Sequence, residues 1–166
     1  MVITPSSYFI VTGKGESNVS EIVSFDNALI DAGIADYNWV PVSSILPSDI
    51  HFDKTCRMPK KGSVMFCVMS RAMAKKGKIV TVGIGAMTTV DIEGNRSVGF
   101  VMEGSVPGED KNYLVSKIKK SLNSMAKLRR VKPLEENIVA ITLKPSKMFG
   151  TAIAVVVFNN YEIAEF

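Results

Sequence analysis

Apolar and polar positions alternate along the chain in a way that sets out its elements. Residues 8–12 (YFIVT) read as a first strand, and the small, polar stretch from Gly13 to Ser20 reads as a loop. Residues 24–32 read as a short helix. Ser24 is placed to cap it, Phe25, Ala28, Leu29 and Ala32 share one face, and Gly33 supplies a stop. Residues 37–42 read as a strand whose Pro41 marks an edge or an early end, and SSILPSD reads as a turn. Two mostly apolar runs, 63–74 and 78–87, predict buried strands joined by a Lys-rich turn at Gly77. Residues 97–103 predict another strand. The clearest helical period covers 111–131, where Leu114, Val115, Ile118, Leu122, Met125 and Leu128 keep a spacing of three or four, and Pro133 is expected to end it. Residues 138–144 and 151–158 predict closing strands. About seven strands and two helices, with strands mostly consecutive, favour an α+β fold with a largely antiparallel sheet over a doubly wound one.

Composition narrows the class. At 166 residues the chain is expected to form a single domain with a core of its own. Its 46% hydrophobic and 22% charged residues are globular values that argue against disorder. No apolar run approaches the roughly 18 residues of a membrane-spanning helix, and the N-terminus lacks a signal-peptide pattern. A soluble, cytoplasmic protein without a membrane partner is the expectation. Twenty basic and sixteen acidic residues give a net charge of +4, too mild to imply nucleic-acid binding unless focused on one surface. The segment 111–132 holds eight lysines and arginines and no acid, but no interleaved aromatics for stacking. A solvated helix face is the preferred account, and no nucleic-acid partner is expected.

Most familiar chemistries find no support. His51, Cys56 and Cys67 match no zinc spacing, so no metal is expected. His51, the one histidine, adjoins no nucleophile elbow. Gly83-Ile-Gly85 lacks the third glycine of a dinucleotide loop, and close packing against a strand explains it better. Lys14 in TGKGES lacks the spacing of a phosphate loop. What remains is Ser43-Ser44, which on composition alone is ordinary turn chemistry.

The neighbourhood of that pair changes its meaning. Phe25-Asp26-Asn27-Ala28-Leu29, Ala32-Gly33-Ile34, Asn38 and Ser43-Ser44-Ile45-Leu46-Pro47, followed by Gly62 and by Gly99-Phe100-Val101-Met102-Glu103, resemble the pyruvoyl-dependent arginine decarboxylases. The similarity is strongest at 25–47 and 98–104. It implies an αββα sandwich with mostly antiparallel sheets. It also implies self-cleavage between Ser43 and Ser44 into a β chain, 1–43, and an α chain, 44–166, with a covalent pyruvoyl cofactor derived from Ser44.

Decarboxylation of an amino acid leaves an electron pair at Cα, and a carbonyl joined to the substrate amine is a sink for it. The resemblance implies that Ser44 attacks the Ser43 carbonyl, a step that needs a strained peptide and a stabilised oxyanion. It makes Asn38 a donor to the oxyanion or to substrate, and Glu103 the general acid that returns a proton to Cα. Glu103 follows an apolar run, so partial burial is expected to raise its pKa. Asp26 becomes the partner of the substrate guanidinium, a planar fork that suits a carboxylate. The expected reaction is L-arginine to agmatine and carbon dioxide, in a trimer of cleaved protomers with sites between neighbouring subunits. The same chemistry on histidine or lysine, and a non-catalytic basic binding module, stand as alternatives.

Overall fold

The last strand organises the molecule. In β9 (Phe149–Ala164) every residue from Gly150 to Asn159 is buried. Its even positions Ala152, Ala154, Val156 and Phe158 join one core, and its odd positions Ile153, Val155 and Val157 join another. A strand apolar on both faces needs a layer on each side, and the computed structural model, which describes residues 1–165, supplies both.

The remaining elements are β1 (Val2–Ser17), α1 (Glu21–Asp31), β2 (Asn38–Pro41), β3 (Ile45–Leu46), β4 (His51–Phe52), β5 (Val64–Lys75), β6 (Val80–Val90), β7 (Arg96–Pro107), α2 (Lys111–Leu128) and β8 (Lys132–Leu143). Sheet A has the order β2-β5-β9-β1-β4, and sheet B has the order β3-β7-β6-β8. The long pairings are antiparallel, and only the short edge strands β2 and β4 pair in parallel. The sheets face each other across a core of Val68, Val82, Ile84, Val101 and the even residues of β9. Helix α1 covers the outer face of sheet A through Ala28 and Leu29, and α2 covers sheet B through Leu114, Ile118, Leu122 and Ala126. The layers are therefore α, β, β, α, and the α+β class holds.

Several local expectations fail for identifiable reasons. Residues 13–17 are strand, not loop: a Cβ on Gly13 or Gly15 would lie 2.1 Å from a backbone oxygen of α1, so these glycines let the helix settle onto β1. Helix α1 starts earlier than expected, because Ser20 caps it by accepting from the Val23 N–H. Ser24 lies inside the helix, its hydroxyl 2.7 Å from Thr151 Oγ1. Pro133 does not end α2. The helix stops at Leu128, which is exposed, Arg130 turns the chain with φ 57°, and Pro133 sits in edge strand β8. Gly83 and Gly85 mark close packing, but against a helix rather than the expected strand, since a Cβ there would press on Leu114 and Ile118 of α2. Among the described residues, no helix is long and apolar enough to cross a membrane.

Candidate active site

The turn-like SSILPSD segment carries the chain from one sheet to the other. The β2–β5 pairing ends with Pro41 opposite Cys67, and the Val42 N–H still donates to Cys67 O at 2.9 Å. Two residues later the chain belongs to sheet B. Ser44 O accepts from the Val101 N–H at 3.0 Å, and Ile45 and Leu46 pair with Phe100 and Gly99. The Ser43–Ser44 peptide is thus the bridge between sheets, with Ser43 exposed and Ser44 half-buried.

The bridge turns tightly. The Ile45 N–H donates to Ser43 O at 3.1 Å, closing a three-residue turn centred on Ser44. That carbonyl is the one a Ser44 hydroxyl would attack, so the Ile45 amide already sits where negative charge would develop. The expected backbone strain does not take the form of a left-handed conformation, because the non-glycine residues with positive φ are Cys56, Arg130 and Asn160.

Glu103 is brought to the same edge. Phe100, Met102 and Gly104 face α2, so the alternation of β7 turns Val101 and Glu103 towards sheet A. Glu103 lies two residues beyond Val101, which holds Ser44 O. The two Cα atoms of β7 are then about 6.6 Å apart. Contrary to the expected partial burial, Glu103 is exposed in the single chain, because the β2–β3 edge above it is short and open.

Asn38 and Asp26 are not brought there. Asn38 begins β2, whose other end leads to Ser43, so at about 3.3 Å per residue the two lie on the order of 10 Å or more apart. Its side-chain amide donates to Gly62 O at 2.9 Å, and its backbone N–H donates to Ser63 O. Asp26 is exposed on α1, which packs on β1 and β9. His51 is exposed in β4. Cys67 is buried in β5, and burial pushes its thiol up to about 11. No group of three or more metal-ligating side chains occurs among the described residues. The Ile45 amide was invisible in the sequence, since any non-proline residue supplies one.

A hydroxyl follows a carbonyl whose oxygen is already held, and a carboxylate stands on the same edge. That donor set fits a group made from the chain itself. A family model described as pyruvoyl-dependent arginine decarboxylase matches residues 7–163. The chain belongs to this family. It is 33% identical over 156 residues to the pyruvoyl-dependent arginine decarboxylase of Methanopyrus kandleri, covering 93% of this chain and 97% of that protein. It is 34% identical over 163 residues to pyruvoyl-dependent arginine decarboxylase 2 of Archaeoglobus fulgidus, covering 95% and 99%. The corresponding protein of Methanothermobacter thermautotrophicus is 28% identical over 149 residues, covering 89% and 93%. As a pyruvoyl-dependent arginine decarboxylase by family, the protein is a decarboxylase with a covalently bound pyruvoyl cofactor, and arginine is its expected substrate.

Proposed function

We propose that the chain cleaves itself between Ser43 and Ser44 and then converts L-arginine to agmatine and carbon dioxide. The observation that carries this reading is the Ile45 N–H on the Ser43 carbonyl, at an exposed bridge between two sheets. Ser44 Oγ adds to the Ser43 carbonyl carbon, and the oxyanion stays on the Ile45 amide. The C–N bond breaks, the departing Ser44 nitrogen takes up the proton given up by the hydroxyl, and an ester from Ser43 to the Ser44 oxygen remains. Loss of the Ser44 Cα proton expels the Ser43 carboxylate, which becomes the end of the β chain, 1–43. Water then replaces the nitrogen at position 44, releasing ammonia and leaving the α chain, 44–166, with a pyruvoyl end.

In the mature enzyme a pyruvoyl group held at position 44 would supply the electron sink for decarboxylation. The chain's own groups do the rest. Glu103, on the edge beside residue 44, holds the proton that Cα receives. Asp26 meets the substrate guanidinium, and Asn38 orients the substrate. Both lie away from their own bridge, so they act from a neighbouring copy in a homo-oligomer, read here as a trimer. Ile22 and Ile30 flank Asp26 one helical turn either way and are 79% and 57% exposed, which supports covering of this face by protein.

The test is carbon dioxide release from a panel of arginine, lysine and histidine by protein whose intact mass has been recorded. Preference for arginine by two-chain protein is expected. Equal rates on all three would overturn the substrate, and full activity in an uncleaved chain would overturn the cleavage.

A further inference from the structure

We propose that Ser70 is a positioning residue for the Ser43–Ser44 bridge, acting by fixing the separation of the two sheets beneath it. The proposal rests on the self-cleavage reading above. The layer between the sheets is apolar apart from a few side chains. One of these is Ser70, in the middle of β5, only 4% exposed and flanked on its face by Val68 and Ala72. Its hydroxyl crosses to sheet B and donates to Gly104 O at 2.7 Å. Gly104 follows Glu103.

The topology gives this bond its meaning. Strand β5 pairs with β2, which runs into Val42. Strand β7 pairs with β3, which begins just after Ser44. The path β2, β5, Ser70, Gly104, β7, β3, Ser44, Ser43 and back to β2 is therefore a closed ring. Two links in that ring span the sheets: the Ser43–Ser44 peptide and the Ser70 hydroxyl. The span of one sets the span the other must cover. With Ser70 bonded, the bridge is held short enough to turn at Ser44 and to place the Ser43 carbonyl on the Ile45 amide. Without it the sheets settle at the distance their side chains prefer, and the attack geometry drifts. After cleavage the Ser70 bond remains as a link at this edge and keeps Glu103 beside residue 44.

A second, part-buried side-chain bond between the sheets is the natural control. Asn137 Nδ2 of β8 donates to the phenol oxygen of Tyr8 in β1 at 3.3 Å, on the opposite side of the sandwich. It joins the same two sheets, and the bridge is not part of its ring.

The experiment follows self-cleavage of freshly synthesised full-length chain by intact mass over time, for wild type, Ser70→Ala, Ser70→Cys and Asn137→Leu, with melting temperatures alongside. The expected result is cleavage slowed about tenfold or more in Ser70→Ala. Ser70→Cys, nearly isosteric with a weak donor, should fall between Ala and wild type. Asn137→Leu should melt lower but cleave at the wild-type rate. Wild-type cleavage in Ser70→Ala, or equal slowing in Ser70→Ala and Asn137→Leu, overturns the proposal. If Ser70→Ala does not fold, wild-type cleavage in Ser70→Cys overturns it. A wild-type chain that never splits at 43/44 overturns the cleavage reading itself, and this proposal with it.

Discussion

The chain crosses between its sheets twice within ten residues, and the two crossings are held in opposite ways. The first, through Ser43 and Ser44, is fixed only by backbone bonds at its ends and turns on the Ile45 amide. The second returns from β3 to β4 through Pro47–Ile50 and is clamped by side chains. Ile50 is fully buried in the core between the sheets. Arg96 donates from Nε to Ser48 O and from Nη2 to Ile50 O, each at 3.1 Å. Just past β4 the Asp53 N–H donates to Tyr8 O, and the Asp53 carboxylate accepts from Thr55 and Asn159. A clamped crossing keeps its carbonyls occupied by fixed donors and its side chain in the core. The first holds its carbonyls by backbone amides alone, Ser43 O by the Ile45 N–H and Ser44 O by the Val101 N–H, with Ser43 exposed. The fold thus spends its side chains on the return path and leaves the outward path free for chemistry.

Substitutions at the two crossings should differ sharply in effect. Ser44→Ala removes the oxygen proposed to attack at the open crossing. Intact mass should show one uncleaved chain, no carbon dioxide release and a melting temperature close to wild type. Glu103→Gln should still cleave, because Glu103 has no part in forming the ester. Its carbon dioxide release should fall by roughly 10²–10⁴, and cleavage lost together with activity would contradict the separate roles. Arg96→Met unfastens the clamped crossing. It should cost about 1–2 kcal/mol, given the exposed guanidinium, or a few degrees in melting temperature. Cleavage should continue at the wild-type rate.

The smallest effect is acid dependence at the far end of the clamp. Hydrogen bonds from the Thr55 hydroxyl and amide and from Asn159 bring the Asp53 carboxyl down to about 2. A carboxyl lowered on folding stabilises above the ordinary carboxylate range and loses that contribution as pH falls from about 4 through 2. Asp53→Asn should therefore melt lower than wild type at pH 6, with the gap closing towards pH 2. A gap that does not change with pH would remove Asp53 from the clamp.

How far the sequence could be read follows the same division. The apolar period of 111–131 and the runs at 63–74 and 151–158 announced their elements, because a helix stripe and a doubly buried strand each repeat a signal over many residues. Gly13 and Gly15 concealed the end of β1, since a glycine that admits a helix and a glycine that permits a loop are the same residue in isolation. SSILPSD concealed the short strand β3, and β4 just after it was missed as well, as two-residue pairings leave no period to detect. Ser43, Ser44 and Glu103 were legible as a set only through family likeness, and the fold does draw them to one edge. The exposure of Glu103 was not legible, because it depends on how far β2 and β3 extend over it. Ser70 carried a faint signal, a hydroxyl at an inward position of an apolar strand, but its partner across the sheets is set by tertiary packing alone.

The most direct test is the intact mass of the purified protein under denaturing conditions, with and without a reagent that traps carbonyls. Two chains that split between Ser43 and Ser44 are expected, with only the larger one trapped. A single full-length chain that ignores the reagent would contradict self-cleavage.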